Sequence, residues 1–404
     1  MKKKVVLFFV FAFGILTLLP SQSLSQKTIK VGIVDTYTGP PTTFTFDVRD
    51  GFDLAVREIN KAGGVMGRTI EYTTRDEKFK PDVGLAMAKE LLMKEKVDIL
   101  MGTINSATAL AISDLAKKEK VPFFVTFAKS EKITGEQGHR YVFGISENTE
   151  MAGRAAAFAL SKMPYTKYWI AGDDYEYGHS IANAVWRHLT KLNPKVTKIG
   201  ETWWKVGEAD FTPYITQILA AKPDFIIVAT GGAAMVNFQR AAKATGLAEK
   251  IPFYQHTAIE HSVLMPQGLD APEGVYGTCN YFFYYPDTKE NRAFVDQFRK
   301  AYNRYPKIGA LYGYVTAKLI AEGFKKAKSF DIEKFIDAVE GMVIDSPVGK
   351  LELRKCDHQL ALPMYFGRTK KVGGWEFLIA TDIQTIPSKD YMPSCEEILR
   401  LRRK

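Results

Sequence analysis

VDILMGTINSATALAISDLAKKEKVPFFVTFAKSEKIT, residues Val97 to Thr134, decides the fold. An apolar strand, Val97–Met101, runs into Gly102 and a cluster of small polar residues, Thr103, Asn105, Ser106 and Thr108. A helical pattern starts near Asn105, and a second apolar run, PFFVTF, follows it. Strand, turn, helix, strand is the repeating unit of a parallel sheet with crossover helices.

The same alternation extends on both sides. IKVGIV, TIEYTT and YVFGIS read as further buried strands, and helices start near Val48 and Asp82. The pattern then restarts. A helix from Glu150, strand KYWIAG, a helix from Gly178, strand VTKIGETWW, a helix after DFTP, strand DFIIVAT, a helix from Ala233 and strand IPFYQH predict a second α/β unit. In DFTPYITQILAAKPD, Asp210 or Thr212 suits the helix cap and Pro213 its first turn. The glycines of INKAGGVMG suit the left-handed backbone at a helix end. No solenoid repeat and no low-complexity linker separates the halves, so crossing strands, not a flexible tether, are expected to join two lobes.

Length and charge agree with that reading. A chain of 404 residues exceeds one ordinary domain. The formal charge of +10 includes Lys2, Lys3 and Lys4, and the other basic residues alternate with acids, so no nucleic-acid surface is predicted. The N-terminus, MKKKVVLFFVFAFGILTLLPSQSLSQ, has a basic start, an apolar run from Val5 to Leu19, a breaker at Pro20 and small residues at Ser23 and Ser25. It reads as a secretory signal over residues 1–25, cleaved after Ser25, with an uncleaved anchor as the alternative. No Cys follows it to carry lipid, and the mature chain is expected to be soluble and exported.

Catalytic signatures are missing. No GxGxxG follows the first strand, and neither a phosphate-binding GxxxxGK[ST] nor a GxSxG nucleophile elbow occurs. His256, Glu260 and His261 in HTAIEH do not have zinc-protease spacing. Asp173, Asp174 and His179 in GDDYEYGH fit ligand enclosure better than a metal site, and Asp357 and His358 fit a structural turn better than a catalytic dyad. A binding protein is expected, with no metal and no cofactor.

IKVGIVDTYTGP, GFDLAVREINKAGGVMGRTIEY, ILMGTINSATALAISDLAKKEKVPFF, DDYEYGHS, ADFTPYITQILAAKPDFIIVATGG and YGYVTAKLIAEGF together resemble the leucine/isoleucine/valine-binding family of type I periplasmic binding proteins. The likeness covers essentially the whole mature chain, and its specificity lies in the order and spacing of the segments. It implies an α/β fold of two Rossmann-like, doubly wound lobes joined by three crossing strands. It also implies a small-molecule ligand in the interlobe cleft and delivery to an ABC permease complex in the inner membrane. The crossings are expected near Ser146, Asn280 and Leu351. One lobe then comprises residues 26–146 and 280–350, the other 147–279 and 351–404. A periplasmic monomer is expected, with a ligand-sensing receptor module of the same fold as the alternative.

The resemblance also assigns a site. In the family, the serine at the position of Ser106 binds the ligand carboxylate, at a helix start whose free N–H groups and positive dipole end suit an anion. Asn105 or Ser106 also suits the plainer role of N-cap, and the two roles are compatible. Phe44 falls on an aromatic wall, Ala128 on a position offering a backbone carbonyl, and Tyr177 on a tyrosine that closes over the ligand. Lys129 replaces a threonine, Gly231 or Gly232 replaces a tyrosine, and the acidic partner of the ligand ammonium falls on His256 or Thr257. Lys129 adds a cation for the carboxylate, the glycines leave room, and the aromatic run Tyr281–Tyr285 offers further apolar lining. An α-amino group would lack a partner unless Glu260 supplied one. The expected ligand is a hydrophobic or aromatic carboxylate without that group, with branched-chain amino acids as the alternative. Of the three cysteines, Cys356 and Cys395 are expected to pair and Cys279 to be a buried thiol.

Overall fold

The structure, a computed structural model, describes residues 28–39 and 42–403. The signal segment 1–25 lies outside the described residues. Five strands, Ile29–Asp35 (β1), Ile70–Asp76 (β2), Ile99–Gly102 (β3), Phe123–Val125 (β4) and Val142–Gly144 (β5), form a parallel sheet in the order β2-β1-β3-β4-β5. Strands β3, β4 and β5 are buried throughout, as continuous apolar runs covered on both faces must be.

The second half of the chain builds a larger sheet. Lys167–Asp173 (β6), Thr197–Trp204 (β7), Phe225–Ala229 (β8), Phe253–Tyr254 (β9) and Tyr276–Cys279 (β10) are its parallel part. Val343–Ser346 (β11), Gly349–Leu353 (β12) and Leu360–Ala361 (β13) form a small antiparallel sheet. The hairpin Met364–Lys370 (β14) and Ile379–Ile386 (β15) then completes the second sheet at its edge, in the order β15-β14-β10-β9-β8-β6-β7.

The segment after β10 returns to the first sheet. Its helix Ile308–Ala327 lies along helix Thr42–Lys61, and glycines set how closely they approach. A Cβ on Gly51 would strike the Ala310 carbonyl, and one on Gly313 would strike the Val48 carbonyl. Val48, Phe52, Leu311, Val315 and Leu319 join strand residues Val31, Ile33 and Met101 in one buried core. Two other cores, around Tyr168 and Leu189 and around Trp204 and Phe238, cover the second sheet.

Three segments pass between the sheets, and side-chain amides bind them together. Gln359 Nε2 donates to the Ser146 carbonyl at 2.7 Å, and Asn280 Nδ2 donates to the Pro363 carbonyl at 2.8 Å. The crossing expected near Leu351 falls later. Leu351 sits inside β12 and belongs, with Leu353, Leu360 and Leu362, to the core of the first sheet, and the chain joins the second sheet only at Met364. An apolar hairpin that buries its leucines in the first core has no reason to cross sooner.

Cys356 and Cys395 form a disulfide with a Cα–Cα distance of 5.7 Å, and Cys279 is a buried free thiol. The disulfide ties the turn after β12 to the last helix, Cys395–Arg402. That helix reaches both lobes. Arg402 donates to the carbonyls of Thr134 and Gly135, while Glu397 pairs with Arg154 of helix Thr149–Leu160.

Candidate functional site

The site residues lie where β3 and β4 end on one side and β6, β8 and β9 end on the other, the carboxyl edges at which open α/β sheets take ligands. On the first side, Asn105 is the N-cap of helix Ser106–Glu119: its Oδ1 accepts from Ala107 N at 2.9 Å and Thr108 N at 3.2 Å. Ser106 is thereby freed from capping. Its Oγ accepts from the Lys129 amide at 3.2 Å, which leaves the hydroxyl proton for another acceptor. Ala128 is held beside it by donating its N–H to the Thr103 carbonyl at 2.9 Å.

Two acids brace this loop from below. Asp35 Oδ1 accepts from Thr36 N and Ile104 N at 2.9 and 3.0 Å, and the hydroxyls of Thr36 and Thr103 both donate to Glu77 Oε1. Burial, with Glu77 nearby, pushes the Asp35 carboxyl up to about 8, which weakens its repulsion of an anion above it.

Lys129 turns inward. Its Nζ lies 2.7 Å from Glu147 Oε1 and 4.8 Å from the centre of the Phe127 ring. Glu147, fully buried on the first crossing segment, also meets His256 Nε2 at 3.3 Å and the Tyr312 hydroxyl at 2.8 Å. Burial alone would raise Glu147, yet Lys129 and then His256 hold it down at about 2. Burial lowers both Lys129 and His256, and the bond to Glu147 opposes it in each. Phe44, Phe127 and Tyr312 form an aromatic row beside the cluster, with ring centres 5.2 and 5.4 Å apart.

On the second side, Tyr177 opens helix Glu176–Leu192, and its ring lies against Gly231, where an added Cβ would be 3.3 Å from Tyr177 Cε1. Neither this helix nor Gly232–Ala244 has a side-chain cap, since their N-cap residues are Tyr175 and Gly231. Gly232 has φ +57° and open space at its Cβ position. Thr257 follows His256 with φ 64°, its N–H donating to the Thr278 carbonyl at 3.0 Å. Through Glu147 the two sides meet, Lys129 from one and His256 from the other.

Several sequence candidates have other work. Asp173 is buried and receives Trp204 Nε1 at 2.7 Å and the Thr230 hydroxyl at 2.5 Å, so it braces the Gly231 turn. Asp174 pairs with His179 at 2.7 Å on the surface. Glu260 is no free partner for an ammonium: it accepts from Ser262 N at 2.7 Å and from Ile308 N at 3.2 Å, and burial pushes it up to about 7. The run Tyr281–Tyr285 packs against Tyr365, Trp375 and Tyr305 instead of lining the cleft. His358 stacks on Phe143 at 4.6 Å, and Asp357 pairs with Arg354. Among the described residues no three acids, histidines or cysteines cluster as metal ligands.

A family model described as "Periplasmic binding protein" matches residues 28–374. The chain belongs to this family, in its leucine/isoleucine/valine-binding group. It is 27% identical to the leucine-, isoleucine-, valine-, threonine- and alanine-binding protein of Pseudomonas aeruginosa, over 82% of this chain and 87% of that one. A solute-binding protein of an ABC transporter from R. palustris, solved with 4-hydroxybenzoate, is 26% identical with a TM-score of 0.78, covering 89% of this chain and 97% of that one. A branched-chain amino acid transporter protein from Rhodopseudomonas palustris is also 26% identical, TM-score 0.77, over 90% and 98%. The chain thus has the type I periplasmic binding fold and is a substrate-binding protein, not an enzyme. Among the described residues no helix is long and apolar enough to cross a membrane.

Proposed function

We propose that this binding protein captures a hydrophobic or aromatic carboxylate without an α-amino group and hands it to an inner-membrane ABC permease. One observation carries the reading: three buried carboxylates on the segments that carry the candidate residues, Glu147, Asp173 and Glu260, are already occupied. Glu147 holds Lys129, His256 and Tyr312; Asp173 holds Trp204 and Thr230; Glu260 holds Ser262 and Ile308. An ammonium meeting any of these three would have to displace one of its donors, which would leave a buried group unpaired at a cost. A carboxylate meets the Ser106 hydroxyl proton and the remaining N–H groups of Lys129. Phe44, Tyr177 and the space at Gly232 suit an apolar or aromatic body. The R. palustris relative that holds 4-hydroxybenzoate supports this class.

The second reading, a branched-chain amino acid, is favoured by the P. aeruginosa relative and the branched-chain transporter protein. For either ligand the protein works as a monomer in the periplasm after losing residues 1–25. Its lobes divide near Ser146 and Asn280, with the third passage between Leu362 and Met364. Native mass spectrometry of protein purified from its host tests the ligand class. A retained acid lacking an amine supports the first reading; retained leucine, isoleucine or valine overturns it.

A further inference from the structure

The Lys129–Glu147–His256 cluster has an arrangement that a simple brace between lobes does not require. Glu147 is fully buried and the His256 side chain is 4% exposed, while the Lys129 side chain is 15% exposed, so Lys129 is the member that a ligand can reach. Glu147 Oε1 is shared between Lys129 Nζ at 2.7 Å and His256 Nε2 at 3.3 Å. A carboxylate only accepts, so His256 carries its proton on Nε2 when neutral and its Nδ1 is then an acceptor. That Nδ1 lies 3.0 Å from the Thr278 hydroxyl, which lies 2.8 Å from the Tyr254 hydroxyl.

This hydroxyl chain can run in either direction. With His256 neutral, Tyr254 donates to Thr278 and Thr278 donates to Nδ1. With His256 protonated, Nδ1 donates to Thr278 and Thr278 donates to Tyr254. With the ring neutral every donor of this chain is paired; with it protonated both ring N–H groups keep acceptors, in Glu147 and Thr278, and the cost falls on the Tyr254 O–H, which turns away from Thr278. The charged groups facing His256 are Glu147 from the first crossing segment and Lys129 from the loop after β4; Tyr254 and Thr278 on its own sheet are neutral.

Without ligand the cluster balances one cation against one anion. We infer that a carboxylate ligand binds together with a proton, which is taken up from solvent by His256. The inference rests on the carboxylate reading of the ligand. An anion at Lys129 would leave the buried group with a net negative charge, and His256 is the uncharged titratable group already against Glu147. On protonation, Nε2–H strengthens its bond to Glu147 and lets Lys129 turn further towards the ligand. Burial keeps the ring neutral beforehand, which leaves it free to accept the proton.

Calorimetric titration with 4-hydroxybenzoate in phosphate and in Tris, at about pH 7, reads the coupling directly. The expected result is a buffer-dependent enthalpy equivalent to uptake of close to one proton, lost in His256→Asn. Binding with the same enthalpy in both buffers would overturn the inference while leaving the carboxylate reading intact. Failure of 4-hydroxybenzoate to bind counts against the ligand reading instead, and a second measurement decides the inference without ligand. Imidazole nitrogen NMR of the ligand-free protein is expected to show neutral His256 in the wild type and protonated His256 in Lys129→Met at the same pH. A ring that stays neutral in the variant contradicts the coupling.

Discussion

The two walls of the cleft begin their helices differently. On the first wall, Asn105 satisfies Ala107 N and Thr108 N and frees the Ser106 hydroxyl, while Asp35 and Glu77 pin the loop from below. On the second, helices Glu176–Leu192 and Gly232–Ala244 start without side-chain caps, at Tyr175 and at a glycine whose missing side chain makes room for Tyr177. A wall with its donors fixed recognises charge; a wall with open space and an aromatic ring selects size. The Lys129–Glu147–His256 cluster joins the two.

The comparison breaks most visibly if that junction is cut. Glu147→Ala leaves Lys129 buried without its partner and is expected to destabilise the protein by about 3–5 kcal/mol in urea unfolding. A loss near zero would mean that the walls are not joined there. On the second wall, Gly231→Val should push against the Tyr177 ring and lower affinity for 4-hydroxybenzoate at least about tenfold, roughly 1.4 kcal/mol, by calorimetry. Unchanged affinity would deny that wall its role in selecting size. A smaller effect is expected at the first helix start, where Asn105→Ala should cost about 1 kcal/mol of stability. Gly231→Ala, at a helix start with no side-chain cap to lose, should cost less. Equal losses would erase the difference between the walls.

The strand and helix alternation was legible because buried parallel strands are short apolar runs bounded by turns, and Val97–Thr134 shows one whole unit. Helix starts were less so. The first long helix begins at Thr42, ahead of the apolar pattern at Val48, because its opening turn packs around Phe44 instead of showing an amphipathic stripe. Ser106, Tyr177 and Gly231 came from the family resemblance, and the structure sets Tyr177 against Gly231. Glu147 was missed altogether. It is one of two acids in ISENTE, and its partners Lys129, His256 and Tyr312 come from three other parts of the chain, so no local spacing announces it. The aromatic run Tyr281–Tyr285 misled for the converse reason: a conspicuous local pattern was used for packing against β14 and the loop after it.

The first wall is expected to prefer a carboxylate without an amine. Calorimetry of the same protein preparation with 4-hydroxybenzoate, 4-methyl-2-oxopentanoate and leucine tests this, together with the Lys129→Ala variant. We expect one of the two amine-free acids to bind at least about tenfold more tightly than leucine, and Lys129→Ala to weaken that acid by a similar factor. Leucine binding more tightly than both acids, and unaffected by Lys129→Ala, would contradict it.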